Sequence, residues 1–393
     1  MQTFYIIGIS DNRNQFLSPE IRNLVSQGKV FSGGKRHHEL VHAYLPEDAV
    51  WIDITVPLDA VFCRYEEHPE IIVFASGDPL FFGFANTVMR KLPSAKIILF
   101  PTFNSLQMLA HRILLPYQEM QTLSLTGRPW DAFDSALIRG DKLIGVLTDR
   151  EKTPATIAAR MLEYGYDNYR MIVGEALGNG EEESVRTFSL EEASQSAFRF
   201  PNCLILQRNK VHPRPFGIPE SEFHLLNGRN RMITKMPVRL LTLSMLTLRE
   251  KKSFWDIGFC TGSVSIEAKL QFPELKVTAF EQRPEGKELM ERNSRKFGTP
   301  GITTVMGDFL ETELGGLPAP DAVFIGGHGG KMIEILQKIK EVLLPDGVIV
   351  FNSVSEESKA LFTKGITQIN KKVTQCTRIA VDTFNPIEIM RAE

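Results

Sequence analysis

The sequence predicts an α/β protein with two successive domains, each built around its own sheet. Short apolar runs with the length of buried strands alternate with amphipathic helical patterns along the chain. The alternation is interrupted near 209–227, where Pro213, Pro215 and Pro219 crowd together and the hydrophobic periodicity lapses. A strand, a glycine-bearing turn and an immediate helix then follow over 255–267. Strands that alternate with helices favour mostly parallel sheets that are covered on both faces.

The proline-rich interruption sets the predicted domain boundaries. We expect a first domain over 1–209, a linker over 210–221 and a second domain over 222–393. A length of 393 residues suits two or three globular domains of about 100–200 residues each.

Within the first domain, residues 71–83 predict a strand that runs into a tight turn and then a helix. Pro79 suits the first turn of a helix, where its missing N–H costs nothing. Asp78 is a residue type that caps helix N-termini. We therefore expect this helix to start at Pro79, with Asp78 as its cap.

In the second domain, five short apolar runs are predicted to be buried strands: Phe254–Gly258, Val277–Glu281, Thr303–Met306, Ala322–Ile325 and Val348–Asn352. A stripe at helical spacing predicts a helix between the last two runs, and its apolar residues are Met332, Ile335, Leu336, Ile339, Val342 and Leu343. This order is typical of a doubly wound, Rossmann-like sheet. Ligands of such sheets bind beyond the carboxyl ends of the strands.

The glycine turn is the strongest signal of a ligand site. Gly258 and Gly262 let the backbone bend and approach a ligand where a Cβ would obstruct it. The helix that follows directs backbone N–H groups and its positive end at the ligand. Glu281 ends the next strand about 20 residues further on, where such folds bind a ribose. Cys260 and Ser263 break the dinucleotide fingerprint, so S-adenosylmethionine fits the turn better than NAD.

Composition argues against several classes of function. The chain is 43% hydrophobic and 23% charged, its net charge is −2, and no apolar run approaches the roughly 20 residues that span a bilayer. We therefore expect no membrane partner and no nucleic-acid partner. The first residues are typical of a strand rather than a signal peptide. The four cysteines, Cys63, Cys203, Cys260 and Cys376, are far apart, which predicts no bound metal and a cytoplasmic location.

Two local patterns suggest other chemistry. His38-Glu39-Leu40-Val41-His42 matches the His-Glu-x-x-His zinc-protease pattern, but only three positions are fixed, and we interpret it as a partly exposed helix with two histidines. Cys260 lies near a helix N-terminus, where a thiol becomes more reactive. No histidine is near it in sequence to act as its base, so we interpret Cys260 as a small residue that lines the ligand loop.

From about Phe223 to the C-terminus, the sequence resembles the decarboxylating C-15 methyltransferases of cobalamin biosynthesis. Besides the glycine turn, the segments that carry this resemblance are Asn230–Arg239, Gly307–Phe309 and Pro320–Gly327. One departure is Phe259-Cys260, which replaces the smaller residues usual between the glycines of that family.

The region Phe4–Arg208 resembles the tetrapyrrole methylases, especially their precorrin C-5 branch, through Ser76-Gly77-Asp78-Pro79. Further motifs that carry this resemblance are Gly33–His37, Asn104–Gln107, Ser124–Arg128 and Leu147–Asp149. It implies a fold with two α/β lobes and a cleft between them for cofactor and macrocycle. Two loops depart from the family pattern: Gly8–Arg13 lacks a later glycine and proline, and Pro101-Thr102 stands where a proline-glycine turn is usual.

Fused in this order, the two regions resemble the bifunctional precorrin-6Y C5,15-methyltransferases (decarboxylating). The resemblance implies methylation of precorrin-6Y, or its cobalt analogue, at C-5 and C-15 with S-adenosylmethionine, and decarboxylation of the C-12 acetate to give a precorrin-8 product. It also implies a small tetrapyrrole as the partner and a homo-oligomer as the assembly. The residues alone leave two other functions open, a nucleoside-binding module without turnover and an NAD-dependent oxidoreductase.

The resemblance also implies which residues bind. Expected cofactor contacts in the first domain are Ser76, Gly77, Asp78, Phe81, Asn104, Ser105 and Thr126. Expected cofactor contacts in the second domain are Thr234, Gly258, Phe259, Cys260, Thr261, Gly262, Glu281, Asp308 and Phe309. Expected contacts with the polycarboxylate substrate are Arg36, Arg231, Lys235, Arg239 and His328. No residue is assigned a catalytic role, because methyl transfer from a sulfonium to an electron-rich carbon needs little acid–base machinery.

Overall fold

The computed structural model describes residues 2–226, 232–382 and 385–393. The chain forms two compact units, neither of which is a continuous stretch of sequence. The first unit consists of Met1–Arg128, Lys142–Ala159 and Tyr169–Asn209, and the second of Pro129–Asp141, Arg160–Asn168 and Lys210–Glu393. Our boundary at 209 remains a prediction about which parts fold alone. No helix in the described part of the chain is both long and apolar enough to cross a bilayer.

The described residues of the first unit form two sheets, of which the first is five-stranded and parallel in the order β3-β2-β4-β1-β5. Its strands are β1 (Thr3–Ile9), β2 (Val30–Gly33), β3 (Val50–Asp53), β4 (Glu70–Ser76) and β5 (Lys96–Phe100). The helices between them are α1 (Pro19–Gln27), α2 (Lys35–Val41), α3 (Asp59–Tyr65) and α4 (Phe84–Lys91). All five carboxyl ends meet at one edge, which brings the loops after β1, β2, β4 and β5 together.

The second sheet of this unit is mixed and has the order β6-β7-β10-β8-β9 within the described residues. Its strands are β6 (Gln121–Ser124), β7 (Leu143–Leu147), β8 (Tyr169–Glu175), β9 (Ser184–Phe188) and β10 (Asn202–Arg208). The helices of this part of the chain are α5 (Ser105–Arg112), α6 (Asp131–Arg139), α7 (Pro154–Glu163) and α8 (Leu190–Ser194). Strands β6 and β7 are parallel, and the remaining pairs are antiparallel. Helix α6 and the end of α7 belong to the second unit.

The second unit has a sheet of seven strands in the described residues, in the order β13-β12-β11-β14-β15-β17-β16. Its strands are β11 (Ser253–Ile257), β12 (Lys276–Glu281), β13 (Ile302–Met306), β14 (Ala322–Ile325), β15 (Val348–Ser353), β16 (Val373–Ile379) and β17 (Ile387–Ala392). Its further helices are α9 (Met236–Leu246), α10 (Ser263–Gln271), α11 (Glu285–Phe297), α12 (Met332–Val342) and α13 (Glu356–Gln368). The strand order reverses between β11 and β14, which makes the sheet doubly wound.

This sheet confirms the five predicted strands and the predicted helix α12. The five strands are mutually parallel, and the apolar stripe of α12 is buried at Met332, Ile335, Leu336 and Ile339. The antiparallel pair β16 and β17 was not predicted. Strand β16 is mostly polar and exposed, so it carries a weak hydrophobic signal.

The stretch predicted as a linker, 210–221, is part of the second unit and has specific contacts there. Gly217 and Ile218 donate their backbone N–H groups to the Glu267 carboxylate, at 2.6 and 3.1 Å. Ile218 is also buried, and Glu267 lies on α10. The prolines correctly predict a break in regular structure, but they do not reveal the carboxylate that anchors the segment.

The helix that was predicted to start at Pro79 starts at Phe84, with Gly83 as its N-cap. The Asp78 carboxylate accepts a hydrogen bond from the backbone N–H of Leu80 at 2.8 Å, so it closes a turn and does not cap the helix. The backbone of Phe82 is left-handed, with a φ of 54°, which keeps the helix from extending back through it. The predicted start is therefore wrong by five residues.

Candidate active sites

The second unit contains a cavity of about 700 Å³ at the carboxyl ends of its parallel strands. This volume lies within the roughly 300–1,000 Å³ typical of small-molecule sites. The predicted residues that line it are Thr234, Lys235, Gly258, Phe259, Cys260, Thr261, Glu281, Asp308, Phe309 and His328. Lining residues that were not predicted include Asp256, Arg283, Lys331 and Asn352.

The glycine turn after β11 approaches the loop after β14 closely. Gly258 has a φ of 79°, and a Cβ there would lie 3.0 Å from the backbone nitrogen of Gly327. A Cβ at Gly326 would lie 2.9 Å from the carbonyl oxygen of Gly258. Gly327 lines the cavity and has open space where a Cβ would project. The two loops therefore form a backbone cradle for a ligand.

Gly262 is not part of the cavity lining, contrary to the prediction. It is the N-cap of α10 with a φ of 75°, and a Cβ there would lie 2.5 Å from Sδ of Met290. Glycine is required here by the left-handed backbone and by the packing of α11. Gly262 therefore starts the helix and does not contact the ligand space.

Glu281 ends β12 as predicted, and its carboxylate is buried. Oε2 accepts a hydrogen bond from the backbone N–H of Cys260 at 2.9 Å, and Oε1 accepts one from that of Arg283 at 3.0 Å. Because a carboxylate has about four lone-pair sites, it can still accept hydrogen bonds from a ligand. Glu281 therefore holds the glycine turn and faces the cavity at the same time.

Asp308 and Phe309 form the next part of the wall. Nζ of Lys331 donates to Asp308 at 2.8 Å and the backbone N–H of Leu310 donates at 2.9 Å. These donors, Lys331 first, hold the pKa of Asp308 below its usual range. The Phe309 ring packs edge-on against Phe280, with the centroids 5.1 Å apart. A fixed carboxylate beside an aromatic wall suits a purine base.

The segment before α9 covers another side of the cavity through Thr234 and Lys235. Arg231, a predicted substrate contact, lies outside the described residues. Arg239, another predicted substrate contact, is fully buried, with Nε 3.1 Å from Oε2 of Glu267 and a hydrogen bond of 2.8 Å to the carbonyl oxygen of Thr234. Burial lowers the pKa of Arg239, and Glu267 opposes this effect. The prediction for Arg239 is therefore wrong, because its guanidinium binds interior partners.

Two buried polar atoms at this cavity have no hydrogen-bond partner among the described residues, Oδ1 of Asp256 and Oγ1 of Thr261. The other carboxylate oxygen of Asp256 accepts from Oγ of Ser265 at 2.6 Å. Burial raises the pKa of Asp256 to about 7. Since buried polar groups are normally paired, these atoms fit a polar ligand such as a nucleoside cofactor. Asp256 was missed because the prediction followed the glycines, although it stands two residues before Gly258.

His328, which is predicted to contact the substrate, follows the glycine pair after β14 and lines the cavity. Its Nδ1 accepts a hydrogen bond from the backbone N–H of Gly330 at 3.2 Å, and its ring packs edge-on against Phe351. Burial lowers the pKa of His328. The neutral ring therefore carries its proton on Nε2, as a hydrogen-bond donor.

The first unit contains a cavity of about 310 Å³ between the carboxyl edge of its first sheet and the ends of β7, β8 and β10. The predicted residues that line it are Arg36, Ser76, Gly77, Phe81, Asn104, Ser105 and Thr126. Lining residues that were not predicted include Asp11, His37, Thr148, Phe200 and Asn202. Asp78 is not part of the lining, because its carboxylate closes the turn described above.

Close backbone packing shapes this cavity. A Cβ at Gly8 would lie 2.0 Å from the carbonyl oxygen of Gly77, whose own φ is 62°. Asn104 is the N-cap of α5 and accepts a hydrogen bond from the backbone N–H of Gln107 at 2.9 Å. Arg36 forms an ion pair with Asp11 at the cavity, and burial lowers the pKa of Arg36.

The structure explains the two patterns that suggested other chemistry, the His-Glu-x-x-His match and Cys260. The ring of His38 stacks on Trp51 with the centroids 4.3 Å apart, and Nδ1 of His42 donates to the carbonyl oxygen of Glu39 at 3.0 Å. The described residues contain no group of three His, Cys, Asp or Glu side chains arranged to hold a metal.

Burial and the Glu281 carboxylate raise the pKa of Cys260, which disfavours the thiolate that a nucleophile requires. What both cavities offer is the binding and orientation of ligands.

Comparison with known proteins gives a consistent result. Residues 227–392 match the family model described as a precorrin methyltransferase domain. A Sinorhizobium protein named precorrin-6Y C(5,15)-methyltransferase (decarboxylating) is 33% identical over 371 residues, which are 91% of this chain and 86% of that protein. A Salmonella typhimurium protein named cobalt-precorrin-6B C(15)-methyltransferase (decarboxylating) is 34% identical over 41% of this chain and 83% of its own length. The crystal structure of a precorrin-6Y C5,15-methyltransferase from Geobacter metallireducens is 33% identical, with a TM-score of 0.42, and covers 47% of this chain and 99% of that one.

Proposed function

The chain belongs to the precorrin-6Y C(5,15)-methyltransferase (decarboxylating) family, and from this premise we propose that its two cavities are the two methylation sites of that activity. The enzyme methylates precorrin-6Y, or its cobalt analogue, at C-5 and C-15 and removes a carboxylate as carbon dioxide, in cobalamin biosynthesis. The methyl donor we propose for both steps is S-adenosylmethionine. Membership of this family does not favour the nucleoside-binding module or the NAD-dependent oxidoreductase.

The observation that carries the proposal is the set of polar groups that converge beside the glycine turn of the second unit. Asp256 and Thr261 leave buried atoms without a partner, and the Glu281 carboxylate retains accepting capacity. A hydroxyl-rich, charged cofactor supplies the partners that these groups lack. The residues present therefore fit S-adenosylmethionine.

Bound S-adenosylmethionine supplies the electrophilic methyl group, and the residues of the chain bind and orient it. In the second unit, Glu281 accepts from the ribose hydroxyls, and Asp308 and Phe309 flank the purine. Thr234 covers the cofactor, and the Arg239 guanidinium fixes the backbone of Thr234 by donating to its carbonyl oxygen. Correct positioning of reacting groups contributes up to about 7–11 kcal/mol in favourable cases, so no acid–base residue is required for the transfer itself.

We assign C-15 methylation and decarboxylation to the second unit and C-5 methylation to the first. The assignment rests on the resemblance of each sequence region to a separate methyltransferase family. In the first unit, the cofactor contacts we propose are Ser76, Gly77, Phe81, Asn104, Ser105 and Thr126. The C-12 acetate loses its carboxylate as carbon dioxide, the electrons of the broken C–C bond pass into the conjugated macrocycle, and a proton from solvent completes the C-12 methyl group. The second unit orients that acetate.

A flat macrocycle with peripheral carboxylates needs apolar faces and cationic edges. Phe103 and Phe200 line the first cavity, and these residues are 56% and 48% exposed, so their rings are available to the faces of the macrocycle. The Arg36 cation suits a carboxylate in the same cavity. In the other cavity, Lys235 supplies a cation and the neutral ring of His328 supplies an N–H donor for carboxylates.

The test is turnover by the full chain with purified precorrin-6Y, or its cobalt analogue, and S-adenosylmethionine. We expect a product that has gained two methyl groups and lost one carbon dioxide, with release of two S-adenosylhomocysteine molecules, measured by mass spectrometry. Retention of S-adenosylmethionine without any product would favour a binding module. Retention of NAD with a change of oxidation state in the substrate would favour an oxidoreductase.

A further inference from the structure

His37 and Ser76 form a hydrogen-bonded pair inside the first-unit cavity. Nε2 of His37 lies 2.8 Å from Oγ of Ser76, and both residues line the cavity. His37 is the third residue of α2, and its Nδ1 accepts a hydrogen bond from the backbone N–H of Gly34, the N-cap of that helix, at 3.2 Å. Ser76 is the last residue of β4, so the pair links two loops at the carboxyl edge of the sheet.

The bond to Gly34 fixes the proton of the imidazole. A backbone N–H can only donate, so Nδ1 is unprotonated and the neutral ring carries its proton on Nε2. Burial, with a smaller effect from Arg36, lowers the pKa of His37 to about 4, so the ring is neutral near neutral pH. Nε2–H must therefore donate to Ser76, which means that His37 cannot act as a base for the serine.

We propose that His37 is a positioning residue that makes the Ser76 hydroxyl a hydrogen-bond donor to a carboxylate bound in this cavity. Because Oγ of Ser76 accepts from His37, its own hydrogen is available to another acceptor. Ser76 is exposed to the cavity, so the acceptor is a ligand atom.

The charges at the cavity indicate that this acceptor is a carboxylate. Arg36 directly precedes His37 and is the cation among the described lining residues. Its ion pair with Asp11 does not use all of its donors, because a guanidinium has five N–H groups. A carboxylate between Arg36 and Ser76 would thus accept from both. Under the proposed function, on which this inference rests, it comes either from the methionine part of the cofactor or from the edge of the macrocycle.

The test compares two nearly isosteric substitutions in the full chain. In His37→Gln, the side-chain oxygen accepts from Gly34 and the amide N–H₂ donates to Ser76, as the imidazole does. In His37→Glu, the side chain still caps the helix, because both Glu and Gln serve at this position of a capping box. The carboxylate, however, accepts from Ser76 and turns the hydroxyl hydrogen away from the ligand. Ser76→Ala removes the donor without adding charge.

We expect His37→Glu and Ser76→Ala to lower kcat/KM for C-5 methylation by about tenfold or more, as loss of a hydrogen bond to a charged group does. His37→Gln should stay within about threefold of the wild type. C-15 methylation by the same molecules reports on their folding and should not change. A rise in KM for S-adenosylmethionine identifies the cofactor carboxylate, and a rise in KM for the macrocycle identifies a substrate carboxylate.

Two results would overturn the inference while leaving the proposed function intact. One is wild-type C-5 methylation by both His37→Glu and Ser76→Ala. The other is an equal loss in His37→Gln and His37→Glu, which would mean that the ring matters only for packing. A wild-type chain that methylates C-15 but never C-5 would overturn the proposed function of the first unit, and this inference with it.

Discussion

Glu281 has partners in the protein as well as a face toward the cavity, so its removal should affect both stability and binding. We predict that Glu281→Ala raises KM for S-adenosylmethionine in C-15 methylation by about tenfold or more, the effect of losing a charged acceptor. It should also lower Tm, because the N–H of Cys260 loses its partner. The exposed Glu285 is the matched control, and Glu285→Ala should change neither value. An unchanged KM would remove Glu281 from the cofactor site.

Asp256 predicts a specific pH dependence of stability. Burial raises its pKa from 3.8 to about 7, so between these values the folded chain keeps a proton that the unfolded chain has lost. This residue therefore makes the fold less stable as pH rises from about 4 to about 7. The Asn side chain of Asp256→Asn cannot titrate. The Tm of the variant should therefore increase relative to that of the wild type as pH rises from about 4 to about 7. Calorimetry that gives parallel Tm curves for the two proteins would contradict the raised pKa.

For single residues, the sequence predicts positions along the chain better than it predicts their surroundings in the fold. Glu281 was correctly placed at a strand end, but its burial depends on where Cys260 and Arg283 direct their N–H groups. Gly262 and Arg239 were assigned to ligands because they stand beside the site in sequence. The direction of a side chain follows from backbone φ and from the packing of distant elements, such as Met290 on α11, and neither is visible in a local motif.

Among the elements, α9 and α10 are joined by the buried pair of Arg239 and Glu267. Both side chains are fully buried, so Arg239→Ala would leave a carboxylate without its cation, at a cost of about 3–5 kcal/mol. We predict a Tm lower by roughly 6–20 °C, measured by scanning calorimetry, and a higher KM for S-adenosylmethionine because Thr234 loses its anchor. Arg249→Ala, at an exposed position just after α9, should leave both unchanged. A Tm within about 1 °C of the wild type would contradict the pairing.

Near the first cavity, loops present two arginines on aromatic rings. The Arg128 guanidinium lies 5.2 Å from the centroid of Phe82, and that of Arg150 lies 5.0 Å from the centroid of Phe200. Stacking of this kind preorganises a guanidinium for bidentate binding of carboxylates. We predict that Arg128→Ala combined with Arg150→Ala raises KM for the macrocycle in C-5 methylation by about tenfold or more. KM for S-adenosylmethionine should not change.

The exposed Arg90 provides the control for this pair. Arg90→Ala removes a cation from the same unit but leaves both stacked arginines in place. If KM depends only on the net charge of the unit, Arg90→Ala should raise it as well. An equal rise of KM in Arg90→Ala would show that the stacked arginines are not specific substrate contacts.

Elements were predictable where their hydrophobic signal is local. Strands β11 to β15 and helix α12 have continuous apolar runs or stripes, and the structure confirms them. Strand β16 was missed because its exposed polar residues resemble a loop. The start of α4 was wrong because the turn at Asp78–Gly83 has the residue types of a helix N-terminus but contains a left-handed Phe82.

The two units of the chain do not follow the order of the sequence. Helix α6, before the predicted boundary, belongs to the second unit, where Oγ of Ser135 donates to the carbonyl oxygen of Pro273 at 2.7 Å. Likewise, the hydroxyl of Tyr166 donates to the carbonyl oxygen of Gly298 at 2.7 Å. Proline content can reveal where a chain leaves regular structure. It cannot reveal that earlier segments pack with a later sheet, because those contacts join residues more than 100 positions apart.

Two cavities in one chain allow the two chemistries to be separated by filling each cavity in turn. Gly327→Phe places a ring in the second-unit cavity at a position with open space and no left-handed backbone, so the fold should tolerate it. Thr126→Trp does the same in the first-unit cavity, at an exposed position. We expect Gly327→Phe to abolish C-15 methylation and decarboxylation together, and Thr126→Trp to abolish C-5 methylation alone.

Product masses distinguish these outcomes, because the loss of carbon dioxide must follow only one of the two substitutions. The Thr126→Trp product should have gained one methyl group and lost carbon dioxide. Any product of Gly327→Phe should have gained one methyl group and kept its carboxylate, provided that the first unit accepts the undecarboxylated macrocycle. Because each substitution leaves the other cavity intact, methylation by the unsubstituted cavity shows that the chain has folded. If Thr126→Trp instead stops decarboxylation and Gly327→Phe does not, the assignment of C-5 methylation to the first unit and of C-15 methylation with decarboxylation to the second must be reversed.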